Sequence, residues 1–311
     1  MTAKVTTPAT ANRRWSGLFS NPVMVKELRS RMRGRRAFAV LTLYLIVLSA
    51  AIVFVYLMYL STANVPSSTM ARTTGKGLFA AVLGVQVLLV TFIGPAFTAG
   101  AISGERERQT YDLLRTTLLS ADAFVLGKLL SALSYIFLLV IISIPLQSLA
   151  FLLGGLSPVE LGLSQVLVLV TAVPYALYGL WCSAAMRSTL TATVATFAGT
   201  LFLTFGIPLL AFVAVILLSF TGWSMGTPNP TLEMIFIYIG LSLAATNLPA
   251  TLVLSETFLL NQDTLLGYTH FVGSQSMWIF SPWWVFLILH ILAAVVLYVA
   301  TVRRVRRVSD V

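Results

Sequence analysis

The chain has 311 residues, of which 58% are hydrophobic and only 10% are charged, and its net charge is +10. Soluble domains carry about 25% charged residues, so this composition excludes an ordinary soluble domain and indicates a membrane protein. Lysine and arginine lie in short segments beside apolar runs, which suits anionic lipid headgroups and not a nucleic-acid-binding face. The sequence therefore predicts membrane lipids as partners and no nucleic acid.

The amino-terminal segment 1–20 is polar and lacks the apolar core and small-residue cleavage site of a signal peptide. We interpret it as a disordered cytoplasmic tail, so the first hydrophobic run is expected to remain as a membrane span. Cys182 is the only cysteine, which excludes an internal disulfide and a cysteine-based metal cluster.

Residues 21–36 form the next segment, and its Asn21-Pro22 start is typical of a helix N-terminus. Apolar residues recur at helical spacing with basic residues on the other faces, which predicts an amphipathic connecting helix in the headgroup layer. The alternative is a solvated basic tail that only sets orientation. The candidate functional residues of this helix are Lys26, Glu27, Leu28, Arg29 and Arg33.

Six runs are long enough to cross a hydrocarbon core, which requires about 20 apolar residues. They lie near residues 37–61, 78–102, 129–153, 165–186, 190–220 and 283–302. The sequence predicts an all-α integral membrane protein with a single transmembrane domain over 37–311. The long fifth run contains Gly206-Ile207-Pro208, which predicts a kink or tilt there.

The orientation follows from the basic residues, because eighteen of the twenty fall on one side of this six-span topology. Only Arg72 and Lys76 fall on the other. The positive-inside rule therefore predicts that both termini and the loop at 99–128 are cytoplasmic, in a plasma (inner) membrane.

Residues 221–282 are too long for a simple outer loop and are partly hydrophobic. The runs 232–245 and 252–260 are short for a span, and we interpret them as outer re-entrant or interfacial helices. Two extra spans forming a hairpin would also satisfy the charge rule. Tryptophans around this region are typical of an interfacial aromatic belt: Trp223, Trp278, Trp283 and Trp284.

The predicted spans contain almost no ionisable side chains, and His290 is the clear exception. Ion-coupled carriers usually keep such groups in the membrane, so their scarcity argues against that class. Thr74-Gly75-Lys76-Gly77 lacks the spacing of a nucleotide-binding loop, and we expect no enzyme activity, metal or cofactor on this chain. Polar residues within the runs are candidate path lining, with interhelical packing as the alternative: Gln86, Gln147 and Gln165.

The loop at 99–128 is the longest charged interruption on the predicted cytoplasmic side. A charged cluster is followed by Tyr111, Leu114 and Leu118 at helical spacing, which predicts a short helix with an apolar stripe. Such a helix is too short to be stable alone, so it needs the bilayer surface or a groove on a partner protein. The candidate coupling residues are Glu105, Arg106, Glu107, Arg108, Thr110, Tyr111, Asp112, Leu114, Leu118 and Lys128.

This loop resembles the first cytoplasmic loop of ABC-2 type permeases, the membrane subunits of a class of ABC transporters. The family pattern matches at Glu105, Glu107, Thr110, Asp112, Leu114, Thr117, Leu119, Ser120, Gly127 and Lys128. Two positions depart from it, since Gln109 replaces the usual glycine and Leu118 the usual proline. The opening segment at 21–38 also looks like the family's connecting helix.

The resemblance implies a permease, mostly of the exporting kind, that pairs with a second permease chain and with cytosolic ABC ATPase subunits. ATP and magnesium would then bind the partner ATPase and not this chain. Two other classes stay open from the residues alone. One is a stand-alone channel or ion-coupled carrier, and the other is a membrane anchor protein without transport activity.

Overall fold

The computed structural model of the chain describes residues 35–61, 67–109, 120–153, 156–220, 230–262, 266–272 and 275–309. The predicted tail at 1–20 and nearly all of the predicted connecting helix at 21–36 lie outside these residues. The same holds for five candidate residues of that helix, which are Lys26, Glu27, Leu28, Arg29 and Arg33.

Helices dominate the described residues. Their bounds are α1 Arg35–Leu60, α2 Ser67–Thr98, α3 Ser103–Glu107, α4 Ala121–Leu152, α5 Pro158–Ala185, α6 Thr189–Leu201, α7 Ile207–Phe220, α8 Pro230–Ala244, α9 Leu248–Gln262 and α10 Pro282–Ser309. A π-helical turn, Phe202–Gly206, joins α6 to α7. Six helical stretches are long and apolar enough to cross a membrane, which confirms the predicted multi-pass architecture.

Three of the long helices begin at a serine that caps the first turn. The Ser120 and Ser188 hydroxyls accept hydrogen bonds from the Ala123 and Thr191 backbone N–H groups. Ser157 and Glu160 form a reciprocal capping box at the start of α5, where Pro158 occupies the first helical position. These caps satisfy backbone donors that have no partner within the helix, and so they fix where α4, α5 and α6 start.

The core lies between α2, α4 and α5, with α10 packed along α5. Of the most apolar stretch of α5, 61% is buried within the chain, whereas only 11% of the corresponding stretch of α1 is buried. The helix α5 is therefore central, and α1 turns most of its surface outward. The main cluster joins the four helices through Val87, Val90, Ile136, Val140, Leu167, Val168, Ala172 and Phe286.

The fifth crossing stretch is irregular where the sequence predicted a kink. In an α-helix the N–H of residue 208 would bond the carbonyl of Thr204, but Pro208 has no N–H to donate. The Asn247 side chain supplies the missing donor, with Nδ2 2.8 Å from the Thr204 carbonyl oxygen. Asn247 is 5% exposed, and its Oδ1 also accepts from the Ala250 N–H at the start of α9. One amide thus links the π-helical turn to the junction of α8 and α9.

Two helices, α8 and α9, occupy the region where the sequence predicts outer re-entrant or interfacial helices. Each has 15 residues, fewer than the roughly 20 that a perpendicular crossing requires. Their junction is buried against the core, since Ala245 and Leu248 belong to the main apolar cluster.

A β-hairpin follows α9 and corrects the all-α prediction. Strands β1 Gly267–Val272 and β2 Gln275–Phe280 pair antiparallel, and Val272 faces Gln275 across a two-residue connection. Alternation explains why strands form here: Met277 and Ile279 are buried against α8 and α9, whereas Ser276 and Trp278 are exposed. Gly-Ser between two alternating runs is a recognised hairpin signal, and the sequence interpretation missed it.

Candidate functional site

The base of the loop between α2 and α4 brings together four of the predicted coupling residues. We call Glu105, Arg106, Glu107 and Lys128 the loop base. Arg108 follows them and is exposed. Five other predicted residues of the loop lie outside the described part of the chain, namely Thr110, Tyr111, Asp112, Leu114 and Leu118.

The chain leaves α2 through a turn that is fixed to the end of α5. The Ser183 hydroxyl accepts hydrogen bonds from the backbone N–H groups of Ile102 and Ser103, at 2.9 and 3.0 Å. All three residues are buried. The short helix α3, which carries three of the four loop-base residues, is therefore held against α5 by hydrogen bonds from backbone N–H groups at its start to the Ser183 side chain.

Arg106 closes the carboxyl end of α5. Its guanidinium donates to the carbonyl oxygens of Ala184 at 2.9 Å and Met186 at 3.3 Å. The last carbonyls of a helix have no intrahelical donor and carry the negative end of the helix dipole. An arginine is the natural partner there, so Arg106 stabilises the end of α5 and ties α3 to it.

Glu107 accepts hydrogen bonds at the start of α6, whereas Arg106 donates them at the end of α5. Its two carboxylate oxygens accept from the Thr189 backbone N–H at 2.7 Å and from the Thr189 hydroxyl at 2.6 Å. The first N–H groups of a helix are unpartnered within it and carry partial positive charge, so a carboxylate is favourable there. Arg106 and Glu107, adjacent in sequence, thus hold the end of one helix and the start of the next.

Glu105 connects the same short helix to α4. The Lys128 ammonium lies 2.8 Å from Glu105 Oε1, and the lysine side chain is 2% exposed while that of the glutamate is 25% exposed. Lys128 also lies over the ring of Phe124, 5.0 Å from its centroid. The sequence interpretation put Lys128 at the end of the loop, but this residue lies inside α4. The ion pair with Glu105 offsets the free-energy cost of burying its charge there.

Together these contacts join α3 to three other helices over a few residues: Glu105 to α4, Arg106 to α5 and Glu107 to α6. The charged residues could be identified from the sequence, but their hydrogen-bond partners could not. Arg106 bonds backbone carbonyls and Glu107 bonds a threonine, and these partners are about 80 positions away in the chain. A displacement of α3 would have to move the ends of all three helices or break charge-assisted hydrogen bonds.

The three glutamines proposed as path lining lie together in the interior of the bundle. Gln86 donates to Gln165 at 2.9 Å, Gln165 donates to Gln147 at 2.7 Å, and Gln147 donates to Gln86 at 2.5 Å. They form a closed ring across α2, α4 and α5, which we call the amide ring. Exposed fractions of 0%, 0% and 7% place it within the packed core. Interhelical packing accounts for these contacts, and path lining stays a prediction that would require the ring to open.

We expect Gln147→Leu to lower the free energy of unfolding by about 1–3 kcal/mol, because it leaves the buried carbonyl of Gln86 without its donor and leaves the Gln165 NH₂ with only a 3.5 Å contact to the Ser164 hydroxyl. Replacing all three glutamines by leucine should cost less than three times this amount, since no member is then left unsatisfied. Thermal unfolding of the purified variants checks both values. Additive losses would contradict a cooperative ring.

His290 is the single histidine of the predicted spans, and it lies 8% exposed in α10. Its Nδ1 is 3.0 Å from the Phe286 carbonyl one turn earlier, and the two rings stack at 3.7 Å. These contacts are within its own helix and join it to no other titratable side chain. They give it a packing role.

Neither a scan of protein-family models nor a comparison with curated proteins finds a match to this chain.

Proposed function

We propose that this chain is the permease subunit of an ABC transporter of the ABC-2 type, exporting its cargo across the cytoplasmic membrane. ATP hydrolysis would take place on separate cytosolic ATPase subunits, which hold the nucleotide and magnesium. A second permease chain, identical or different, would complete the path. Both termini and the loop at 99–128 would be cytoplasmic, as the distribution of basic residues indicates.

The loop base is the observation that carries this proposal. A transporter driven by an external ATPase needs a part that receives force from the cytosol and passes it to several spans. The ion pair of Lys128 with Glu105, the Arg106 bonds to α5 and the Glu107 bonds to α6 connect one short helix to three crossing helices, at the end of the bundle that is predicted to be cytoplasmic. A channel or an anchor protein does not require such a connection.

The backbone at Gln109 adds support. Its φ of 56° lies in the left-handed region, which favours glycine, and glycine is what ABC-2 permeases usually have at this position. The turn between α3 and the predicted coupling helix thus has the backbone that the family glycine would suit, although the residue differs.

We further propose that α8 and α9 form a re-entrant hairpin that enters from the outer side and returns. Their 15-residue lengths, the buried junction at Asn247 and its bond to Thr204, near the middle of the fifth crossing stretch, all support this arrangement. Polar backbone at membrane depth is tolerated where protein buries it and supplies partners.

The test of the coupling role uses the predicted apolar stripe, because Glu105 has its own internal partner and its substitution would disturb the fold. We expect an ATPase with a phosphate-binding loop, encoded beside this chain, to co-purify with it. Leu114→Asp should weaken that association by about tenfold or more, as loss of a buried apolar anchor does. Thr116→Asp places the same charge on the opposite face of the predicted helix and should leave binding nearly unchanged.

Transport in proteoliposomes separates this proposal from its alternatives. We expect ATP-dependent export only when chain and ATPase are reconstituted together. Flux by this chain alone, driven by voltage or an ion gradient, would establish the channel or carrier class instead. An anchor protein would show no flux under any form of energisation, and equal ATPase binding by the two aspartate variants would remove the docking role.

A further inference from the structure

A cavity of about 340 Å³ lies between α2, α5 and α9, on the side of the bundle where α5 begins. We call it the outer cavity, since this end is predicted to face outward. Its walls are mainly aliphatic and include Leu83, Gly84, Val87, Leu163, Leu167 and Leu252. Cavities of roughly 300–1,000 Å³ with apolar walls and a few placed polar groups are typical of small-molecule sites.

The polar groups of the outer cavity point to the kind of ligand. Ser255 is 3% exposed and lines the cavity, and its hydroxyl has no hydrogen-bond partner among the described residues. A buried hydroxyl without a partner is costly, and a ligand that accepts or donates a hydrogen bond there would remove that cost. Aliphatic walls alone would not require such a group.

Two carboxylates line the same cavity, Glu256 beside Ser255 on α9 and Glu160 on α5. Glu160 is held in place by its capping box with Ser157. Among the described residues that line the cavity, two are acidic and none is basic, so its charged groups favour a cationic ligand over an anionic one.

We propose that the outer cavity binds a small lipophilic cation, with its apolar body against the leucines of α2 and α5 and its protonated amine at Glu256 and Ser255. The volume suits a compact molecule better than a diacyl lipid, whose two chains exceed it. That this molecule is the transported cargo rests on the proposed function, whereas the binding itself does not.

The probe is 4-phenylbutylamine, titrated calorimetrically into the purified full chain in phosphatidylcholine nanodiscs, with empty discs subtracted. We expect saturable binding, and the uncharged analogue 4-phenylbutanol should bind about tenfold or more weakly, because a charge-assisted hydrogen bond is lost. Glu256→Gln should remove this preference for the amine, and Ser255→Ala should weaken the amine several-fold. Thr257→Ala removes an exposed hydroxyl from the same helix and should have no effect.

Blocking the cavity gives the sharpest comparison. Gly84 lines the cavity, and a Cβ there would have no atom within 4 Å, so the side chain of Gly84→Leu begins in open space and should occupy part of the cavity. Gly162 is equally open but does not line the cavity, which makes Gly162→Leu the matched control. We expect Gly84→Leu to reduce amine affinity at least tenfold, with thermal unfolding no lower than in the parent, and Gly162→Leu to bind like the parent.

Three results would overturn the proposal: no saturable binding, equal binding of amine and alcohol, or unchanged binding by Gly84→Leu. Strong competition by phosphatidylethanolamine added to the discs would assign the site to an amine-bearing lipid and refute a small-molecule ligand. Because no ATPase is present, these outcomes are independent of the coupling test. A chain that binds the amine but no ATPase would refute only the proposed function.

Discussion

Replacing Lys128 by methionine is expected to lower the free energy of unfolding by about 3 kcal/mol, because the substitution removes the buried ammonium beside the Glu105 carboxylate. The double variant Glu105→Gln/Lys128→Met should recover most of this loss, since an uncharged amide beside an apolar chain carries no buried charge. Thermal unfolding of the parent, both single variants and the double variant gives the coupling energy directly.

The exposed ion pair between Asp122 and Arg306 is the control for this cycle. The two atoms are 2.6 Å apart, shorter than in the buried pair, but the side chains are 42% and 63% exposed. Water screens such pairs, so Asp122→Asn/Arg306→Gln and the corresponding single variants should each change stability by no more than about 1 kcal/mol. A cycle at Lys128 with an equally small coupling energy would refute the structural importance of the loop base.

The second large effect is expected at Asn247. Asn247→Ala should lower the free energy of unfolding by about 2–4 kcal/mol, because it leaves the Thr204 carbonyl buried without its side-chain donor and removes the cap of α9. Hydrogen exchange should increase at the junction of α8 and α9 more than in α5. Thermal unfolding measures the global loss, and hydrogen exchange locates it.

A substitution at Pro208 tests whether this proline is the reason that the Thr204 carbonyl needs the Asn247 donor. In a Pro208→Ala background the N–H of residue 208 can donate to the Thr204 carbonyl, so the effect of Asn247→Ala should be smaller by about 1 kcal/mol or more. Asn247→Asp keeps the cap of α9 but loses the amide donor, and should therefore lie between the parent and the alanine variant. Equal losses with and without Pro208 would show that the proline does not create the need for Asn247.

The crossing helices could be predicted from the sequence because each requires about 20 apolar residues, a signal that needs no knowledge of packing. The ends of these helices were harder to predict. Lys128 marked the end of a loop in the sequence, yet it lies in the second turn of α4, which begins after the Ser120 cap, and its charge is paired with Glu105 from another helix. A single charge near an apolar run is ambiguous until its partner is known.

The amide ring illustrates the same limit. Gln86, Gln147 and Gln165 could be singled out because polar side chains are rare in apolar runs. Whether they face one another or a path depends on how α2, α4 and α5 rotate about their axes, which the spacing of three isolated residues does not determine. Similarly, Pro208 indicates in the sequence that the carbonyl four residues earlier lacks its helical donor. The sequence does not indicate that Asn247, 43 positions from Thr204, supplies that donor.

The amide ring has a mechanical consequence. Within the ring each glutamine donates one hydrogen bond and accepts one, so sliding or rotating any of α2, α4 and α5 against the other two breaks two of the three ring bonds at once. We therefore expect α2, α4 and α5 to move as one rigid body. Any alternation between inward- and outward-facing conformations would then have to occur where other helices contact this group. The helix α1 and the irregular fifth stretch are the loosely packed elements there, since only 11% of the most apolar part of each is buried.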